Sequence, residues 1–400
     1  MIGVSKLYCD ESFAHDPLRY GEKARAGTEN PHTQAHSAKA RRPVVVWNLT
    51  RTCNLRCIHC YTDSEAKKYS GELTTQEALK VIDDLAQYQI PSLLLSGGEP
   101  LLRFDFWTLL KAAQEKKLRT VLSTNATLIS EPIAENLKEH GLVYVGASLD
   151  GIGEVHNQFR GQPWAYDKAV AGIRNCKKAG IKISLRITLT RHNVNELDRY
   201  FDFIEAENID RVCFYHLAYS GRGRKLVSED LSPEETRSAV DKILIKSESL
   251  HRRGFKKDIL TVANHVDGVY LYLKLLAKDP VRAEKVRELL AWNGGGANSS
   301  GIGIANIDFL GNVHADQFWQ TLSFGNVKER PFSQIWEDTS HPVMAGLKNR
   351  LPLLKGRCQK CRWQNICGGS LRVRAYSVSG DPWAEDPACY LTDEEIGSTR

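Results

Sequence analysis

Apolar positions along the chain fall into two alternating rhythms. Six short runs, 44–49, 92–96, 119–124, 143–149, 182–189 and 211–217, are rich in β-branched and aliphatic residues. Between them, over 75–88, 104–115, 129–140, 166–179 and 194–207, apolar residues recur every three or four positions, the period of an amphipathic helix. Thr74, with Glu77 three residues on, introduces the first helix as a capping box. Short strands alternating with helices of roughly 10–15 residues predict βαβ units and a parallel α/β sheet. Six such units make a partial barrel or an open doubly wound sheet. In both, active groups gather at the C-terminal ends of the strands.

Flanking segments behave differently. Residues 1–42 are polar with little periodicity and predict a leader, mobile over 21–42, in which Cys9, His15, His32 and His36 read as surface residues. The core is expected over 43–230, followed by a helical substrate-side segment, 231–290, that begins at Ser232-Pro233-Glu234-Glu235 and ends with 281–290. Within it, Asn264-His265-Val266-Asp267-Gly268 breaks the pattern, so His265 either caps a helix or faces a substrate. Residues 291–400 are rich in Gly and Cys, and 301–314 read as two short strands around a Leu310-Gly311-Asn312 turn.

Composition narrows the class. With 42% hydrophobic and 26% charged residues in 400, the chain is an ordinary globular enzyme in character. Its 54 basic and 48 acidic residues leave +6 without long runs, which argues against a nucleic-acid partner and suits an anionic small substrate. No apolar run approaches the roughly 18 residues of a membrane span, and Met1-Ile2-Gly3-Val4-Ser5-Lys6 carries no signal-peptide pattern. The ten cysteines are clustered, which points to metal rather than disulfides and to a cytoplasmic protein.

The chemistry centres on Thr52-Cys53-Asn54-Leu55-Arg56-Cys57-Ile58-His59-Cys60-Tyr61, directly after the first strand. Thiolates hold iron–sulfur clusters, normally one per iron, so three on one loop leave a fourth iron open to a small molecule. The alternative is zinc with His59 or a remote fourth ligand, although His59 adjoins Cys60 and both could hardly reach one ion. In the tail, Cys358, Cys361, Cys367 and Cys389 are enough to close a second site, which suits zinc or a 4Fe–4S cluster alike. Cys176 and Cys213 read as core thiols. The strand ends add Ser96-Gly97-Gly98-Glu99-Pro100, Ser123-Thr124-Asn125, Ser148-Leu149-Asp150-Gly151 with Arg160, and Ser220-Gly221-Arg222-Gly223-Arg224. Glycines admit close backbone approach, Glu99 can accept from an ammonium and Arg160 can bind a carboxylate.

The Cys-x3-Cys-x2-Cys loop, with Gly97-Gly98-Glu99-Pro100 at the next strand end, resembles the radical S-adenosylmethionine (radical SAM) superfamily, and the tail resembles its SPASM/twitch-type extension. The resemblance implies a partial (β/α)6 barrel plus a small iron–sulfur domain. It implies a 4Fe–4S cluster on Cys53, Cys57 and Cys60, with S-adenosylmethionine chelated at the open iron and cleaved to a 5′-deoxyadenosyl radical. Gly97, Gly98 and Glu99 would then meet its amino group, while Asn125, Ser148 and Arg160 would handle ribose and carboxylate. A full SPASM domain has seven cysteines for two clusters. Here Ala315-Asp316 stands where one is expected and none lies near Asn298-Ser299-Ser300, so one auxiliary cluster is expected, on Cys358, Cys361, Cys367 and Cys389.

The opening Met1-Ile2-Gly3-Val4-Ser5-Lys6-Leu7-Tyr8-Cys9, the run Pro43-Val44-Val45-Val46-Trp47-Asn48 and the ending around Asp386-Pro387-Ala388-Cys389-Tyr390 are similar to the AhbC and NirJ enzymes. These act on 12,18-didecarboxysiroheme, the first type removing two acetates in heme biosynthesis and the second two propionates on the way to heme d1. The N-terminal block tips the resemblance to the AhbC type. It implies a tetrapyrrole substrate and an electron donor such as ferredoxin or flavodoxin. For such a substrate Arg222, Arg224, Arg372 and Arg374 are candidate carboxylate forks, and His265, His314 and Tyr215 candidate ring or iron contacts. The competing readings are a SPASM peptide maturase, for which residues 1–42 lack a winged-helix periodicity, and an iron–sulfur electron carrier.

Overall fold

All six expected strands form, and they lie side by side in chain order. The computed structural model describes residues 1–21 and 42–397. Its ten strands are β1 (Ile2–Gly3), β2 (Val44–Asn48), β3 (Leu93–Ser96), β4 (Thr120–Thr124), β5 (Val145–Ser148), β6 (Ile183–Leu189), β7 (Arg211–His216), β8 (Asp258–Val262), β9 (Ile304–Ile307) and β10 (Val313–His314). They make one sheet in the order β1-β8-β7-β6-β5-β4-β3-β2-β9-β10. From β2 to β8 every pairing is parallel, and antiparallel β1 and β10 close the two edges. Strand order that follows chain order has no reversal point, so crossovers of one hand put every helix on the same face. The sheet is therefore a partial barrel, not the doubly wound alternative.

Helix formation follows the apolar period. Over Thr75–Gln87, Ala78, Val81, Ile82 and Leu85 are buried against the sheet. Thr74 Oγ1 accepts from the Glu77 amide, and the Glu77 carboxylate accepts from the Thr74 amide at 2.8 Å, completing the expected capping box. Such a cap contributes about 1 kcal/mol. Helices Phe106–Glu115, Glu131–Glu139, Ala165–Lys178 and Leu197–Ala206 repeat the arrangement.

Two expectations are corrected. The segment 231–290 is not wholly helical, because β8 runs between helices Pro233–Arg252 and Val266–Leu276 and extends the barrel by one strand. Every residue of β8 is buried, and that run is too short for periodicity to separate strand from helix. The polar leader is folded over its first 21 residues, with β1 on β8 and helices Val4–Cys9 and Asp16–Tyr20 packed beside it. Its apolar residues Ile2, Val4, Leu7, Tyr8 and Tyr20 are buried. His15, expected at the surface, is hydrogen-bonded to Asp258 at 2.6 Å, and Arg211 donates to the same carboxylate at 2.6 Å. His32 and His36 lie outside the described residues.

On the other edge β9 pairs in parallel with β2, Val45 opposite Ala305, so the sheet continues into the cysteine-rich region. The turn predicted at Leu310-Gly311-Asn312 joins β9 to β10. Among the described residues, no helix is long and apolar enough to cross a membrane.

Candidate active site

Parallel strands covered on one face by helices expose alternate residues to the barrel interior. On β5 and β6, Val145, Ala147, Leu185 and Ile187 are fully buried on the helix side. Ser148, Arg186 and Thr188, of opposite parity, are only half-buried and line the interior. Ser123 on β4 and Tyr215 on β7 lie on the same inner face.

The cysteine loop sits over the C-terminal end of this barrel. Cys53 and Cys57 are buried with Leu55 and Ala165, and Cys60 packs against them with Trp164. The second strand end reaches the loop through two glycines. Gly98 donates to the Thr50 carbonyl at 2.7 Å, and the Glu99 amide to the Thr52 carbonyl at 2.9 Å. A Cβ on Gly98 would stand 2.3 Å from Thr52 O, and one on Gly97, whose φ is +141°, 2.4 Å from Thr50 O. Glycine is required at both positions because backbone packs on backbone there.

Glu99 is fully buried, and its carboxylate accepts from Thr124 Oγ1 at 2.8 Å, the Asn125 amide at 2.9 Å and the Leu101 amide at 3.3 Å. Burial outweighs these donors and lifts its pKa to about 7. Asn125 in turn points Nδ2 at Asn54 Oδ1, 2.8 Å away, and at Cys53 Sγ, 3.8 Å away. Arg160 donates to Cys57 Sγ at 3.3 Å and is ion-paired with Asp150. Its Nε has no partner. Asp150 is fixed from the other side by the Thr188 amide at 2.7 Å. Ser148 closes β5 at the same rim, in register with Arg186. The structure thus brings Cys53, Cys57, Cys60, Gly97, Gly98, Glu99, Asn125, Ser148 and Arg160 to one rim.

Burial pushes the Cys53 and Cys57 thiols up, the latter despite Arg160. Without a metal's charge they are held as neutral thiols, and binding one would release their protons. Among the described residues no three His, Cys, Asp or Glu side chains stand close enough to hold one metal ion. In the tail, Cys358, Cys361, Cys367 and Cys389 line a cavity of about 130 Å³. That space between four thiols fits a multi-iron cluster. Burial raises all four, Cys389 to about 11, and Arg357 Nη1 lies 3.6 Å from Cys389 Sγ.

Several substrate candidates have other partners. Arg222 braces the cysteine loop: it donates to the Cys57 carbonyl at 2.7 Å, Asp63 at 2.7 Å and the Ser64 carbonyl at 3.0 Å. Arg374 is buried and paired bidentately with Asp386 at 2.9 and 2.8 Å. Arg372 donates to the Ala384 and Gly369 carbonyls. Of the four expected forks, Arg224 alone is exposed. His314 is held at both nitrogens, by the Leu322 carbonyl at 2.7 Å and Asp308 at 3.2 Å, so it is structural. His265 is the N-cap of Val266–Leu276 without a side-chain cap bond, and its Nδ1 is buried without a partner. Tyr215 does face the barrel interior. Sequence reasoning assigned no role to Asp150 or Arg186. The signal for Arg186 was present: a strand covered on both faces should be apolar throughout, whereas Ser184-Leu185-Arg186-Ile187-Thr188 alternates.

Comparison with known proteins decides the family. The Radical SAM superfamily model matches residues 47–204, which hold the cysteine loop and the rim residues just described. The chain is 53% identical, over 99% of both proteins, to Fe-coproporphyrin III synthase of Methanosarcina barkeri. It is a radical SAM enzyme. Pre-heme d1 synthase of Dinoroseobacter shibae is also similar, at 44% identity over 89% of this chain and 88% of that one. Among solved structures, Streptococcus suis SuiB bound to S-adenosylmethionine superposes with a TM-score of 0.66, 18% identity and coverage of 87% of this chain and 77% of that one, which shows a shared fold. Radical SAM membership accounts for a 4Fe–4S cluster and S-adenosylmethionine as cofactors of this enzyme.

Proposed function

We propose that this radical SAM enzyme removes two acetate side chains from 12,18-didecarboxysiroheme to give Fe-coproporphyrin III. The observation that carries the reading is the 53% identity with Fe-coproporphyrin III synthase across 99% of both chains, against 44% over 89% for pre-heme d1 synthase. Removal of two propionates in the manner of a NirJ enzyme is the second reading, favoured by the latter match.

In this reading Cys53, Cys57 and Cys60 hold the first cluster, which supplies the electron that cleaves S-adenosylmethionine. The chain's own part is placement. Gly97 and Gly98 seat the second strand end on the cysteine loop, and Glu99 accepts from the amino group of S-adenosylmethionine. Asn125 and Ser148 take the ribose side, and the free Nε of Arg160 takes the carboxylate. Asp150 keeps Arg160 pointed at the loop, an arrangement supported by its ion pair. Covering the rim excludes water, so that a radical formed there meets substrate first. Cys358, Cys361, Cys367 and Cys389 would hold one auxiliary cluster, a group that would supply an acceptor for the electron left after bond cleavage. The enzyme works in the cytoplasm with a ferredoxin or flavodoxin as donor.

Mass spectrometry of 12,18-didecarboxysiroheme after anaerobic incubation with enzyme, S-adenosylmethionine and a reductant tests the proposal. Loss of two acetates supports it; loss of two propionates assigns the second reading; an unaltered tetrapyrrole refutes both.

A further inference from the structure

With Arg222, Arg372 and Arg374 committed to protein partners, Arg186 stands on the inner face of the barrel without a carboxylate among the described residues. Arg186, on β6, extends across β5, where a Cβ on Gly146 would stand 2.5 Å from its guanidinium carbon. The absent side chain at 146 is what lets the guanidinium lie flat over the strand and reach Ser123 Oγ on β4. Around it are the phenols of Tyr61, Tyr144 and Tyr215 and the thiol of Cys213, and no carboxylate among the described residues forms an ion pair with it. Other arginines of the barrel are paired with an acid: Arg160 has Asp150, Arg211 has Asp258 and Arg103 has Asp105.

A guanidinium enclosed by protein without a counter-anion is costly unless a ligand supplies one. Arg186 is partly exposed on the inner face, so a ligand can reach it. Aromatic rings able to contact a flat ring stand beside it: Tyr61, next to Arg186, meets Phe318 edge-on at 5.5 Å, and both are partly exposed. Tyr61 directly follows Cys60 of the loop, so a molecule lying along these rings is beside the proposed radical site.

We propose that Arg186, set by Gly146 and Ser123, receives a carboxylate of the tetrapyrrole substrate inside the barrel and so fixes which side chain faces the cysteine loop. This deepens the proposed function and rests on it. The same fork chemistry could serve the carboxylate of S-adenosylmethionine, and the test separates the two sources.

Full-length enzyme, reconstituted anaerobically, is titrated with 12,18-didecarboxysiroheme by its visible absorption and, separately, with S-adenosylmethionine by calorimetry. Arg186→Gln is expected to weaken tetrapyrrole binding by about tenfold or more while leaving S-adenosylmethionine affinity within about twofold. Arg186→Lys recovers part of the loss, since it restores charge without the fork. Ser123→Ala, which keeps the cation but frees it, gives a smaller loss and guards against a folding defect in the glutamine variant. Unchanged tetrapyrrole affinity in both Arg186→Gln and Ser123→Ala overturns the inference. So does a loss confined to S-adenosylmethionine, which would assign the fork to that carboxylate. Wild-type enzyme that does not bind the tetrapyrrole at all overturns the functional reading, and this inference with it.

Discussion

Arg222 and Cys57 are 165 positions apart in the chain, and Arg222 Nε donates to the Cys57 carbonyl at 2.7 Å. The same guanidinium ties Asp63 and the Ser64 carbonyl, and the Arg222 amide donates to the Cys60 carbonyl at 2.9 Å. One side chain from beyond the last expected strand therefore sets the curvature of the cysteine loop. Replacing it with methionine keeps the apolar stem and removes the donors. Arg222→Met should destabilise the loop by about 2–4 kcal/mol and lower the iron bound at the first site. Iron and sulfide content per chain, measured after reconstitution, checks this; full loading would contradict a bracing role.

Gly98 touches backbone where any side chain would collide. Gly98→Ala should displace the 50–52 segment and cost more than the ordinary penalty of about 1 kcal/mol, with loss of cluster loading and of S-adenosylmethionine binding together. Denaturant unfolding and a binding titration on one preparation measure both. A variant that loads and binds as wild type would mean that the loop relaxes without consequence.

Glu99 makes cluster-free protein pH-dependent. Its pKa rises from an ordinary 4.5 to about 7, so between those values the native state holds a proton that the unfolded chain has released. Stability is then lost as pH increases through that window, by up to the order of 3 kcal/mol. Glu99→Gln, neutral at every pH, should flatten this part of the profile and leave the cluster-free protein more stable above pH about 7. Urea midpoints across the pH range decide it, and parallel profiles for the two proteins would exclude the effect.

Cys358 and Cys361 lie on the cavity wall remote from the first cysteine loop in sequence. On the proposal of one auxiliary cluster beside the first, the double variant Cys358→Ser, Cys361→Ser should bind about half the iron of the wild type. Cleavage of S-adenosylmethionine should persist while side-chain removal stops. Turnover at the wild-type rate would deny the second cluster an electron-accepting role.

Much of the barrel was legible in the chain. The six strands and five helices were marked by a change of apolar period, and the Thr74 and Glu77 cap marked a boundary almost to the residue. The motif residues of the rim were legible because few chemistries place three cysteines and a Gly-Gly-Glu at consecutive strand ends. β8 was not, since its five uniformly buried residues carry no period, and neither was the N-terminal clip, whose β1 has two residues. The arginine forks were misread for a common reason. Arg222 and Arg374 carry the same charge whether they meet substrate or protein, and their acids, Asp63 and Asp386, lie 159 and 12 positions away.

By itself the sequence determined the local matters: the alternation of strands and helices, the cysteine spacing, and the glycines that backbone contact demands. The first two depend on residues within a few positions of one another, whereas the contact that demands Gly97 and Gly98 comes from Thr50 and Thr52 on the neighbouring strand end. Tertiary structure decided which cations are free and which are spent. The folded chain placed Asp150 against Arg160, Asp386 against Arg374 and Asp258 against Arg211, yet left Arg186 facing tyrosines and a serine. Charge pairing is a property of distance in space, and only the folded chain defines that distance.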